Sequence, residues 1–351
     1  MHALDVEHFR ERGYVVAKQV LAPSDFDAIK ADIAALVEAQ ARRWADAGHL
    51  PPELLDGLLK HPFAVRLARV VEALRAHGGD GTAVDDEIER FGLALDTMYA
   101  RTRATFEFFF TPRLLDAIAS LIGDEITLSP IQHLRPMLPA RRVGGEIVQA
   151  AVGAATLSPW HQDMGVTREE ADGTDIVTCW IPLVAATAAM GALKVIPDLH
   201  DPERGKGEGL LEHVKHPEYG TTIRADLVEA HIARAVDCPC ELGDVLLMHH
   251  FTPHRTGGAN VDARGRVRWS LDVRFQRRDT PTGRPFWPEL VVRSVAEPSA
   301  EQRDYDEWCA RWERDLASSA GERWHRVAGD VGGSIGRARK LEPVGAGDGA
   351  L

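Results

Sequence analysis

A histidine and an aspartate stand two residues apart in Ser158-Pro159-Trp160-His161-Gln162-Asp163. On an extended chain, side chains at i and i+2 project to the same side. An imidazole and a carboxylate presented together can take adjacent positions on one divalent metal ion. The pair alone is a weak signal, because the chain has 15 histidines and so short a pattern arises by chance. An ordinary buried hydrogen-bonded pair is the competing reading. A metal site also needs a third ligand from elsewhere in the chain.

The segment Leu246-Leu247-Met248-His249-His250-Phe251-Thr252-Pro253-His254 follows a Gly243-Asp244 turn and offers three histidines for that place. Two histidines and one carboxylate on one face of an octahedron leave three positions open, which suits non-haem iron(II) oxygen chemistry. Two open positions can take a bidentate 2-oxo acid and the third can take dioxygen. His133, His200, His213 and His216 read as loop or pocket residues.

Other pieces of the chain join these. They are Val177-Thr178-Cys179-Trp180-Ile181-Pro182-Leu183, Gly191-Ala192-Leu193 to Val195-Ile196-Pro197, and Gly243-Asp244-Val245-Leu246-Leu247. Thr252-Pro253-His254-Arg255-Thr256, Asn260 and Arg268-Trp269-Ser270-Leu271-Asp272-Val273-Arg274-Phe275 follow. In order and spacing, residues from about 126 to 276 resemble the phytanoyl-CoA dioxygenase family of iron(II)/2-oxoglutarate-dependent oxygenases. The entry segment Phe9 to Val16 is similar to the family's start.

The resemblance implies a mainly β fold with flanking helices, a double-stranded β-helix of the jelly-roll, cupin-like kind. It makes His161, Asp163 and His254 the metal ligands. It gives Arg268 the distal carboxylate of 2-oxoglutarate, a task suited to a guanidinium that binds carboxylates in bidentate fashion and keeps its charge. Ser270, two residues on, lies on the same side of that strand. Trp180 and Gln132 match positions that line the co-substrate pocket. Three departures stand out: Asp198-Leu199-His200 replaces a Gly-Ser-His, Met190 replaces a polar residue, and the 255–267 loop is longer. The last makes Arg266 a rival to Arg268.

The implied enzyme is an iron(II)/2-oxoglutarate-dependent dioxygenase of the hydroxylase type, using dioxygen. It would hydroxylate a small organic molecule, with specialised metabolism as a setting, and release succinate and carbon dioxide. Two alternatives are a cupin-like metalloenzyme that uses no 2-oxo acid and an inactive binding barrel. The carboxylate of Asp163 fills the position that a halide would need, so oxygen delivery is expected over halogen transfer.

The elements that must position these residues are partly legible. Leu4 to Arg12 reads as a helix and Gly13 to Val16 as a strand. Ser24 and Asp27 form an S-x-x-D box that would cap a long helix ending near Gly48. Residues 50–110 are helical in pattern, broken at 77–81, and Thr111-Pro112 opens a helix that Gly123 ends. Short strand-like runs then alternate with turns: 126–128, 176–181, 193–196, 245–248 and 269–275. Residues 143–157 and 205–209 read as loops. A last helix is expected from Ser299 to about Leu316, with Tyr305, Trp308, Trp312 and Leu316 on one face.

The whole reads as one oxygenase domain over 1–330. Within it, residues 1–124 are helical, residues from about 125 to 290 form a barrel core, and the last helix follows. Residues 331–351, rich in Gly and Ala, read as a flexible tail. With 53 acidic and 41 basic side chains the formal charge is −12, which argues against a nucleic-acid partner or an anionic lipid surface. Four cysteines in 351 residues make no disulfide framework. The absence of an apolar leader or membrane-length run points to a cytoplasmic protein with a small-molecule substrate. No oligomeric state is assigned.

Overall fold

The computed structural model describes residues 4–149, 157–201, 203, 205, 209–216, 219–319 and 322–327. The expected tail at 331–351 lies outside the described residues, as does most of the 143–157 loop beyond Gln149.

Helix α1 (Val6–Arg12) is capped by Asp5, whose carboxylate accepts from His8 N, and is closed by Gly13 at φ 79°. A Cβ at Gly13 would come within 2.6 Å of His200 and Thr252, so glycine is required there for two reasons. Strand β1 (Tyr14–Ala17) follows directly. Next come α2 (Asp27–Asp46), α3 (Pro52–Leu59), α4 (Phe63–His77), α5 (Gly81–Ala94), α6 (Arg103–Phe108) and α7 (Pro112–Ile122). The start of α2 differs from the sequence expectation. Pro23–Phe26 forms a 3-10 turn, and it is Asp25 that reaches back to accept from Ala22 N, so Ser24 is not the cap.

The strands are β2 (Ile126–Leu128), β3 (His133–Met137), β4 (Arg141–Val143), β5 (Glu146–Val148), β6 (Ile176–Pro182), β7 (Leu193–Val195), β8 (His213–His216), β9 (Gly220–Ile223), β10 (Val236–Asp237), β11 (Val245–His249), β12 (His254–Thr256), β13 (Arg268–Arg277) and β14 (Leu290–Arg293). Short helices α8 (Asp163–Val166) and α9 (Ala225–Glu229) interrupt them, and α10 (Tyr305–Ser318) ends the series. The larger sheet runs β1-β11-β6-β13-β2-β14, with β3 also paired to β13. The smaller runs β10-β7-β12, and a mutual bridge between His161 and His254 extends it. Pairing is antiparallel throughout these ladders.

The period of two decides which residues face what. Along β13, Trp269, Leu271, Val273 and Phe275 enter the core shared with the helices, together with Val177, Cys179 and Ile181 of β6. Each such fully buried side chain contributes about 1.5–3 kcal/mol. The alternate residues of β13 turn toward the smaller sheet. Trp180, Leu246 and Met248 of the larger sheet pack there against Leu193, Val195, Cys238 and Cys240, so the two sheets face each other over a second apolar cluster. The fold is thus mainly antiparallel sheet with flanking helices, as the sequence implied.

The last helix starts later than expected. Pro298–Ala300 makes only a 3-10 turn, and α10 begins after Asp304, whose side chain accepts from Glu307 N. A capping aspartate inside the expected span sets the true start. Trp308 and Trp312 of α10 are buried in the main core. No described helix is long and apolar enough to cross a membrane.

Candidate active site

His161 and His254 are backbone partners: His161 N donates to His254 O at 3.0 Å and His254 N to His161 O at 2.9 Å. The bridge sets their rings 4.2 Å apart, centre to centre. Gln162 is extended (φ −116°, ψ 143°) and Asp163 is the first residue of α8. One extended residue therefore separates the two ligand candidates, and the chain turns helical at once afterwards rather than continuing as a strand. Ligand atoms of His161, Asp163 and His254 all lie within 4.8 Å of one another, and all three residues are buried.

The ring nitrogens separate these histidines from their rivals. His161 Nδ1 lies 2.9 Å from Pro159 O, and His254 Nδ1 lies 3.0 Å from Thr252 O. A carbonyl can only accept, so each Nδ1 carries the proton and each Nε2 presents a lone pair. His249, His250 and Asp175 form a second close cluster. There Phe251 N donates to His249 Nδ1 at 3.2 Å and Ile176 N donates to His250 Nδ1 at 3.0 Å. For His249 the amide takes the Nδ1 lone pair and leaves the proton on Nε2, whereas His250 Nδ1 sits between Ile176 N and Ile176 O, at 3.0 and 3.2 Å.

Asp163 is held on both oxygens. Arg274 Nη2 donates to Oδ1 at 2.5 Å, and Thr178 donates to Oδ2. Burial alone would raise the Asp163 pKa, but the Arg274 guanidinium beside it holds the carboxyl well below the usual range. Burial, then His254, pushes His161 well below its ordinary value, so its imidazole is neutral at physiological pH. The set of two imidazoles, each with Nδ1 engaged and Nε2 beside one fixed carboxylate, fits a divalent first-row metal.

Beside the triad is a small cavity lined by Arg135, Ser158, His161, Trp180, Leu193, Tyr219, His254, Thr256, Arg268 and Asp272. Arg268 is 2% exposed, its Nη1 donates to Gly191 O at 2.5 Å, and its guanidinium lies 5.6 Å from the centre of the Trp180 ring. Burial, then repulsion from Arg135, lowers its pKa to about 10. Ser270 is fully buried, and neither its Oγ nor Arg268 Nε has a hydrogen-bond partner among the described residues. Arg266, the rival, is turned away: its Nε and Nη2 both bind Asp262 within the loop, at 3.0 and 2.8 Å. Gln132 is buried with its Nε2 on Ser129 O and does not line the cavity.

Four residues of this site escape a reading of the sequence: Arg274, Asp272, Arg135 and Tyr219. Tyr219 OH lies 3.1 Å from His161 Nε2, and burial pushes its phenol up to about 12. The first two had a signal. Arg268, Ser270, Asp272, Arg274 and Gln276 alternate with large apolar residues in a strand buried on both faces. Polar alternation inside a buried strand marks a lined cavity.

A sequence profile described as phytanoyl-CoA dioxygenase (PhyH) matches residues 9–266, most of the chain. The protein belongs to the phytanoyl-CoA dioxygenase family. That family is one of iron(II)- and 2-oxoglutarate-dependent oxygenases. A 1-deoxypentalenic acid 11-beta-hydroxylase from Streptomyces arenae is 30% identical over 143 residues, 38% of this chain and 47% of that protein. The match thus spans about half the length of this relative. Among solved structures, the non-heme monooxygenase ThoJ is similar with a TM-score of 0.52 and 17% identity, over 91% of this chain and 99% of that one. That likeness concerns the fold. The epimerase SnoN, solved with Fe3+, alpha ketoglutarate and nogalamycin RO, gives a TM-score of 0.47 at 17% identity, over 79% and 85% of the two chains.

Proposed function

We propose that this family member hydroxylates a small organic molecule at a metal held by His161, Asp163 and His254. The observation that carries the reading is the pair of Nδ1–carbonyl bonds, which leaves both Nε2 lone pairs converging with the Asp163 carboxylate. When bound, iron(II) would supply the redox chemistry that couples 2-oxoglutarate decarboxylation to oxidation of a C–H bond. Arg268 would take the distal carboxylate of the co-substrate, and the partnerless Ser270 Oγ would add a second hydrogen bond. Trp180 would wall the same pocket, its ring already under the guanidinium. The similar Streptomyces protein is named for hydroxylation of 1-deoxypentalenic acid, which supports a small organic substrate in specialised metabolism.

The protein's own role is binding, orientation and exclusion of water. The Asp163 carboxylate is tied down by Arg274 and Thr178, so it keeps its coordination position and leaves no room there for a halide. The test is anaerobic iron(II) titration followed by a substrate screen for stimulated succinate release. Wild type should bind one iron, and His161→Ala and His254→Ala should each lose binding and turnover. Full occupancy and activity in both variants would sink the assignment.

A further inference from the structure

We propose that Tyr219 is a self-modification site: in turnover without a bound substrate, its ring takes up one oxygen atom and becomes a catechol. This rests on the reading of the metal site given above. The Tyr219 hydroxyl lies 3.1 Å from His161 Nε2, the nitrogen that faces the metal position, and the two rings meet edge to face with centres 5.0 Å apart. The hairpin that carries the ring cannot take it far away, because β8 and β9 are fastened to both chain neighbours of His161. Ile223 N and Thr222 Oγ1 donate to Trp160 O at 2.8 and 2.9 Å, and Gln162 N donates to His213 Nε2 at 3.1 Å. A metal ion that takes the His161 lone pair therefore displaces the hydroxyl by a side-chain rotation, and the ring stays beside the ion.

The chemistry selects the same residue. Among the described residues, Tyr219 and Trp180 are the aromatic carbocycles that line the cavity. The Trp180 face lies under the Arg268 guanidinium, 5.6 Å from the ring centre, and that cation draws on its electron density. The carbons flanking a phenol hydroxyl are electron-rich, and in Tyr219 they lie at the end of the ring that meets His161. Holding a reactive group beside the reacting centre replaces a chance encounter with a fixed one. The balance is that of the family reaction with the ring in the place of a substrate. 2-Oxoglutarate is oxidised to succinate and carbon dioxide, and one oxygen atom of dioxygen ends in the succinate. The other enters the ring: a C–H bond beside the hydroxyl breaks, a C–O bond forms, and the hydrogen ends on the new hydroxyl. 2-Oxoglutarate and the ring each give two electrons to dioxygen, so no further reductant is needed.

The experiment uses full-length protein loaded with iron(II) and 2-oxoglutarate and exposed to heavy-isotope dioxygen with no substrate added. Peptide mass spectrometry should find one heavy oxygen atom on Tyr219, and none when 2-oxoglutarate is omitted. A second measurement needs no turnover. The protein is made with fluorotyrosine at its four tyrosines and loaded with 2-oxoglutarate and either paramagnetic cobalt(II) or diamagnetic zinc(II). The difference between the two fluorine NMR spectra should be largest at the Tyr219 signal, assigned by its absence from Tyr219→Leu. Succinate release with the label on another residue, or on none, overturns the proposal. So does binding of iron(II) and 2-oxoglutarate with no succinate released, and so does a larger cobalt–zinc difference at another tyrosine. If equilibrium dialysis under argon finds that wild type does not bind iron(II) and 2-oxoglutarate, it is the metal-site reading that fails. Binding of both with Tyr219 unlabelled defeats this inference alone.

Discussion

Arg274 Nη2 lies 2.5 Å from Asp163 Oδ1, with both side chains at most 3% exposed. The pair joins the centre of the longest strand to the first residue of α8. Removing one member of a buried ion pair strands the other and costs about 3–5 kcal/mol. Arg274→Gln should therefore destabilise the metal-free protein by that order and also weaken iron binding, because the carboxylate loses its restraint. Arg274→Lys should recover some of both. Urea unfolding and anaerobic iron titration read the two effects separately. Unchanged iron affinity in a folded Arg274→Gln protein would show that Asp163 needs no such support.

Co-substrate binding is separable from metal binding. Arg268→Ala should raise the apparent Michaelis constant for 2-oxoglutarate by roughly 10- to 100-fold, the loss of one charge-assisted contact of about 1.5–3 kcal/mol. Arg266→Ala should leave that constant near wild type, since Arg266 is already bound to Asp262. The reverse pattern would shift the co-substrate site by two residues.

Much of the site is legible in the sequence and some is not, for physical reasons. His161, Asp163 and His254 stand out because a metal needs few residue types at fixed spacing. The alternation along 268–276 carries the polar wall of the cavity, yet Arg274 looks like one arginine among several, because its partner is 111 residues away. Helix starts are misplaced at Ser24 and Ser299. At both, a nearby aspartate makes the decisive side-chain bond, and local sequence allows several such caps. Tyr219 gives no signal, since nothing periodic brings a hairpin residue to a histidine 58 positions earlier.

Tyr219 makes its own prediction. His161 Nδ1 carries the ring proton, so Nε2 accepts from the Tyr219 hydroxyl, and the same lone pair is the one a metal needs. Metal loading must break that hydrogen bond, which is worth about 0.5–1.5 kcal/mol net. Tyr219→Phe should tighten iron(II) binding by between about twofold and tenfold, read by competition against a chelator of known affinity. Weaker binding in Tyr219→Phe would mean that the phenol supports the metal rather than competing with it.

Acid should destabilise the metal-free fold through two buried histidines. His213 accepts from Gln162 N at its Nε2, and His250 Nδ1 lies against both the amide and the carbonyl of Ile176. Burial holds each pKa down at about 4. The unfolded chain, with a histidine value near 6.5, binds more protons between these limits, so stability is full above about pH 6.5 and falls as pH drops toward 4. Each group should remove about 2 kcal/mol by pH 5. The urea midpoint should fall from pH 7.5 to 5, and His250→Gln should flatten the slope. A midpoint that rises on acidification would contradict the sign.

The last prediction returns to Asp163 from the other side. Asp163→Ala deletes the carboxylate but leaves Arg274 buried, positively charged and aimed at the space the carboxylate filled. Thr178 loses its acceptor at the same time. The two histidines alone should hold iron weakly. A small carboxylate can restore what was lost, because it offers one oxygen to the metal and one to the guanidinium. Added formate should therefore tighten iron binding by Asp163→Ala in a saturable way and leave wild type unaffected. Chloride should act in the same direction with less effect, since it lacks the bidentate geometry. Rescue should vanish in the double variant Asp163→Ala/Arg274→Gln. If formate rescues the double variant equally well, the anion is responding to the metal alone, and the guanidinium has no role in holding that coordination position.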